Sequence, residues 1–259
     1  MGTLYALAGS FRQQWKVSLS SQQHLDWLVG ILPQIFIVLW MAGQSDDRTV
    51  FDYVAVGSLF WVLWTMTVFR IGSSLTHEFY EGTLEAGLTS RTPLMLIILG
   101  KAAAVMVLSL IASTLVMVVV LGVLQHWIDI ASIPLLIVSV GFVTLALFAT
   151  GFIFAPAMVL LQGRGGFYQA LIPFGIVFTG MLYPVRLLPD PVEPIARFIP
   201  TSWAMESVMR SMQTGSLSMR MAGDWATTLA LTLLFMGLTY LMFGVVERRI
   251  RVNGSLGTF

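Results

Sequence analysis

The feature that most constrains this chain is a set of six long intervals without a charged side chain: Trp27 to Ser45, Tyr53 to Phe69, Ala102 to Gln125, Ile130 to Gly163, Gly165 to Val185 and Trp225 to Val246. A charge at the centre of a bilayer costs roughly 2.5 to 3.5 kcal/mol on insertion scales, so gaps between charges mark candidate membrane crossings. Each interval reaches or approaches the roughly 20 apolar residues that a crossing helix needs. The fourth is the longest, yet two helices and a turn would need about 40 residues, so it reads as one span with flanks. The runs are continuously apolar and lack the alternation of a membrane barrel strand. The expected fold is therefore an all-α polytopic membrane protein with six transmembrane helices. Pro33, Pro156 and Pro173 fall inside spans and are expected to kink them.

Charge sets the orientation. Arg12, Lys16, Arg70, Arg91, Lys101, Arg164, Arg248, Arg249 and Arg251 fall on one side of such a topology, while the other side is acidic on balance. The basic side is expected to be cytoplasmic, with both termini there, and a bacterial inner membrane fits the arrangement. With 10% charged residues and a net charge of +1, the chain offers no basic stripe for nucleic acid. It has no cysteine, which excludes disulfides and thiolate chemistry.

Three pieces fall outside the spans. In the first 24 residues, Leu4, Leu7, Ala8, Phe11, Trp15 and Leu19 recur at helical spacing opposite Arg12, Gln13, Gln14 and Lys16. This is an amphipathic helix expected to lie in the headgroup layer, with or without a protein partner. Residues 75–93 form a polar connection between spans two and three. In it Glu78, Glu81 and Glu85 share helical spacing, Gly82 and Gly87 loosen the helix, and Ser90 to Pro93 signal a break. Residues 184–222 begin with Pro184, Pro189, Pro191, Pro194 and Pro200, which forbid continuous helix. A short amphipathic helix follows, capped by Thr201 or Ser202, with Glu206 and Arg210 at i,i+4 and with Phe198 and Trp203 at the interface. Short broken helices dipping into the outer leaflet are expected here, ahead of the last span at 223–246 and a cytoplasmic tail at 247–259.

Signs of catalysis are missing. No ionisable residues are placed to meet inside a span, His24, His77 and His126 are widely separated, and Gly100-Lys101 runs into Ala102 rather than a Walker A Ser or Thr. Glu78 and Glu81 lack further ligands for a cation, so no metal site is expected. An ion-gradient transporter or channel, or an intramembrane enzyme, would need the intramembrane acids, histidines or polar filter that these spans lack.

Glu81-Gly82-Thr83-Leu84-Glu85, then Thr89-Ser90 and Pro93, then Leu99-Gly100-Lys101, resembles the hallmark stretch of type 2 ABC exporter permeases, in which it forms the coupling helix. Phe178-Thr179-Gly180-Met181-Leu182-Tyr183-Pro184, then Leu188-Pro189 and Ile199-Pro200-Thr201, is similar to the region after span five in the same family. The resemblance covers essentially the whole chain as one permease domain, although Ala86-Gly87 and Arg91 depart from the residues often found there. It implies a non-catalytic subunit that holds no cofactor itself, with ATP and Mg on a separate cytoplasmic ATPase. Glu78, Glu81, Gly82, Thr83, Leu84, Glu85, Ser90 and Arg91 would contact that ATPase. A second permease copy, identical or related, would complete a path lined by spans one, two and five. The resemblance implicates Trp40, Phe60, Trp64, Phe174 and Phe178 in that path, with core packing an equal reading of each. Pro184, Pro189, Pro200, Glu206 and Arg210 would shape the re-entrant gate region. An apolar lining suits an amphipathic drug, lipid or natural product as substrate.

Overall fold

A computed structural model describes residues 2–20, 23–45, 48–80, 93–125, 127–160 and 167–253. Their regular elements are helices: α1 (Gly2–Ser20), α2 (Gln23–Gly43), α3 (Arg48–Tyr80), α4 (Leu94–Leu124), α5 (Ile133–Phe152), α6 (Ala155–Leu160), α7 (Phe167–Phe178), a 3-10 turn (Val185–Leu187), α8 (Glu193–Arg197), α9 (Pro200–Gln213) and α10 (Met219–Asn253).

Among the described residues, four stretches are long and apolar enough to cross a membrane: Arg48–Val68, Met95–Leu124, Ile133–Ala157 and Met219–Arg248. Three of them, on α4, α5 and α10, carry outward faces as apolar as their inward ones. On α4, Val107, Ile111, Leu115 and Val118 are exposed while Ala104, Val105 and Val120 are buried. A helix apolar all round belongs in hydrocarbon, because water would penalise such a continuous exposed stripe.

Helix α2 runs through the first charge-free interval as far as Gly43, with Pro33 inside it. In the fifth run the helix ends at Phe178, well before Val185, because Gly180 turns the chain at φ +71° and Pro184 follows. The fourth run is one long helix followed by a break. α5 ends at Phe152, and Ile153 and Phe154 separate it from α6. Pro156 explains the break, since it has no N–H to give the carbonyl four residues back and its ring crowds that position.

α3 is the axis. Phe60, Leu63 and Trp64 are fully buried at its centre, and α2, α4, α5, α6 and α7 all pack against it. Along α7 the approach is backbone-close: Trp64 Nε1 donates to the Leu171 carbonyl at 3.2 Å, and the Tyr53 hydroxyl donates to the Gly180 carbonyl at 2.6 Å. Between these bonds lies Gly57, where even a Cβ would overlap the Met181 carbonyl oxygen. Only glycine lets the two backbones meet there.

Helix α1 does not bury the face its apolar pattern suggests. Ser10, Gln14 and Ser18 form its buried stripe against α4, whereas Ala8 and Leu19 are exposed and Leu7, Phe11 and Trp15 are half-buried. Gln14, expected on the polar side, turns inward and donates to Ser18 Oγ at 3.3 Å. Close approach is the reason: a Cβ on Gly100 of α4 would stand 2.7 Å from the Leu7 carbonyl oxygen and 3.1 Å from Ser10 Cβ. Small residues therefore take the helix contact, and the apolar edge faces outward.

Connectivity gathers residues 180–218 at the end of the bundle that also holds the α2–α3 and α4–α5 turns. The ion pair Arg48–Asp129 at 3.1 Å and the bond from Ala131 N to the Met212 carbonyl tie these pieces together. The start of α4 lies toward the opposite end.

Candidate functional site

Helices α8, α9 and the start of α10 build a continuous row of ionised side chains. Pro200 is the first residue of α9 and Ile199 its N-cap, so neither Thr201 nor Ser202 caps the helix as their residue types suggest. Proline needs no N–H partner at that position and its φ is already helical. The Ser202 hydroxyl instead donates back to the Ile199 carbonyl at 2.8 Å. One face of α9, with Thr201, Ala204, Ser207, Val208 and Ser211, is buried, and the helix packs on α5 and α10. Another face carries Glu206 and Arg210 toward the bundle end.

The row begins on α8, where Arg197 Nε lies 3.4 Å from Glu193 Oε1, one turn away. Arg197 Nη1 also bonds Glu206 Oε1. Arg210 Nη2 holds the other Glu206 oxygen at 3.0 Å. Finally Arg210 Nε stands 3.1 Å from Oδ2 of Asp224 on α10. That last contact has ion-pair distance, but it is out of line for a hydrogen bond, and Oδ2 accepts none among the described residues. Trp203 braces the row. Its Nε1 donates to the Arg197 carbonyl at 2.8 Å, and the Arg197 guanidinium lies 4.9 Å from its ring centroid.

Beside the row is a partly open cavity of about 490 Å³. Tyr53 of α3 and Pro184 form one wall, and Glu206, Met209 and Gln213 of α9 form another. Arg186, Arg197, Arg210 and Arg220 also face it.

The expected site residues distribute as follows. Pro184, Glu206 and Arg210 come together around this cavity; Pro200 starts α9 and is buried, and Pro189 is exposed outside the cavity. Phe60 and Trp64 are fully buried in the chain's own core. Phe174 and Phe178 are half-buried with ring centroids 4.9 Å apart, and Trp40 is exposed on the outer face of α2. Glu78 lies in the last turns of α3, whereas Glu81, Gly82, Thr83, Leu84, Glu85, Ser90 and Arg91 fall outside the described residues. Among the described residues no group of three or more His, Asp or Glu is placed to hold a metal. Sequence reasoning missed Arg197, Asp224, Tyr53, Arg186 and Arg220 as members of one site. Glu193 and Arg197 at i,i+4 are a readable signal; Asp224, just ahead of the last apolar run, lies on a different helix from Arg210, and no helical spacing ties the two.

An all-helical bundle with apolar stripes facing outward, several of them long enough to cross a bilayer, defines a multi-pass membrane protein. Residues 31–241 match the family model described as ABC-2 family transporter protein, and the chain belongs to that family of ABC transporter permeases. Compared with curated proteins, the chain has no match.

Proposed function

We propose that this chain is the membrane-spanning permease of an ATP-driven exporter, coupled to a separate cytoplasmic ATPase that binds ATP and Mg. In this reading the chain crosses a bacterial inner membrane six times with both termini cytoplasmic, α2 and α7 with its flanks completing the spans. A second permease copy, identical or related, closes the path for an amphipathic drug, lipid or natural product.

The observation that carries the coupling is the length of α3. Its charge-free run ends at Phe69, but the helix continues to Tyr80, about 16 Å farther along its axis. The central helix of the bundle thus continues beyond its apolar part to the residue before the polar sequence 81–92. Because α3 packs against most of the other spanning helices, a push along it would reach them directly. Helix α1 lies against α4 near Gly100, at the same end, where it can share the ATPase contact. Differential binding of the ATPase to two arrangements of these helices would drive outward release.

The test is reconstitution with an ABC ATPase that co-purifies with this chain in mild detergent. Glu81→Arg, and deletion of Gly82 to Glu85, are expected to abolish substrate-stimulated ATP hydrolysis while membrane insertion survives. Unchanged stimulation in both variants would overturn the assignment, as would transport by the chain without any ATPase.

A further inference from the structure

We infer that the arginine-lined cavity between α3, the Val185–Leu187 turn, α9 and α10 is a binding site for a phosphate-type oxyanion. The cavity lies near the start of α3, from which Tyr53 lines it, and none of its lining residues belongs to the proposed coupling segment.

Four guanidinium groups face this space and one carboxylate, Glu206, opposes them. Glu206 is already engaged by Arg197 and Arg210 through its two oxygens. Glu193 and Asp224, which pair with the same two arginines, are not in the lining, and the Asp224 side chain is 7% exposed behind Arg210. The row therefore sets three carboxylates against two guanidiniums and holds its two arginines in place. It engages Nε and Nη1 of Arg197 and Nε and Nη2 of Arg210, leaving the third nitrogen of each guanidinium without a carboxylate partner among the described residues.

Arg186 and Arg220 are different. Both are exposed, and among the described residues neither pairs with a carboxylate. They enter from the 3-10 turn and from the first turn of α10, opposite strands of chain converging on one space. Like charges are brought together at a loss unless an anion joins them, and guanidinium forks match the paired oxygens of a phosphate. A volume of about 490 Å³ lies in the range of small-ligand sites and exceeds what a phosphate needs. Met209, Pro184 and the Tyr53 ring offer apolar wall to whatever carries the phosphate. The cavity lies beside the starts of α3 and α10, at headgroup depth if those helices cross a bilayer, so the phosphate can belong to a free anion or to a lipid headgroup.

The experiment uses the purified full chain in mild detergent. Inorganic phosphate is titrated against thermal unfolding at constant ionic strength set with chloride. In a second arm, native mass spectrometry counts retained phosphatidylglycerol against diacylglycerol, which lacks the phosphate. Saturable stabilisation by phosphate identifies a free anion; preferential retention of phosphatidylglycerol without it identifies a headgroup; either supports the site. The Arg186→Gln, Arg220→Gln double variant, which leaves the ion-pair row intact, is expected to weaken binding at least about tenfold. Arg48→Gln, at the same end but outside the cavity, is expected to leave it unchanged. No binding in either arm overturns the proposal, and so does equal weakening by Arg48→Gln, which would mean diffuse surface charge rather than a site.

Discussion

The seam between α3 and α7 and the ion-pair row of α8, α9 and α10 hold their helices together by opposite means. In the seam no charges meet: Gly57 lies against the Met181 backbone, flanked by one tyrosine and one tryptophan bond to carbonyls. In the row, Glu193, Arg197, Glu206, Arg210 and Asp224 alternate in sign, with their aliphatic stems half-buried. Shape decides the first contact and charge the second. A shape contact without slack cannot absorb an added atom, whereas a charge contact can lose both partners together more cheaply than either one alone.

This contrast can be broken most forcefully at Gly57. Gly57→Leu is expected to remove folded protein altogether, since the side chain has no room against the Met181 carbonyl; a monodisperse, ordinary yield on size-exclusion chromatography would show that the seam is not tight. Next comes the row. Arg210→Ala leaves a buried Asp224 without its cation and is expected to cost about 2 to 3 kcal/mol, read as a lower unfolding midpoint in detergent. Adding Asp224→Leu to Arg210→Met should recover most of that loss, and failure to recover would mean that the row acts by more than charge pairing. The smallest effect is expected at Arg48–Asp129, whose side chains are 66% and 71% exposed. Arg48→Ala should shift stability by under about 0.5 kcal/mol, because a solvated pair gains little over its separate hydrated ions. A large shift there would erase the distinction between buried row and surface pair.

Much of this architecture was legible from local pattern. The charge-free runs announced the long helices, and the prolines from 184 to 200 announced a broken region that appears as a 3-10 turn and two short helices. Glu206 and Arg210 could be paired because four residues is one helical turn. Arg197 with Glu206, and Arg210 with Asp224, could not be paired this way. Their meeting depends on the turns at Ile199 and around 214–218, which set directions that no side-chain period encodes. Helix α1 illustrates the same limit. Its amphipathic pattern was plain, but which edge packed on α4 depended on how closely Gly100 lets another backbone approach.

By itself, then, the sequence determined the solvent and the secondary structure: apolar runs without charge must be helical in a bilayer, since every backbone group needs an internal partner there. Only the tertiary structure decided that α3 is the axis, that α7 is pressed against it, and that five charges from three helices share one end of the bundle. The physical reason is range. Backbone hydrogen bonding and hydrophobic periodicity act over a few residues, whereas close helix approach and ion pairing depend on the placement in space of residues far apart along the chain.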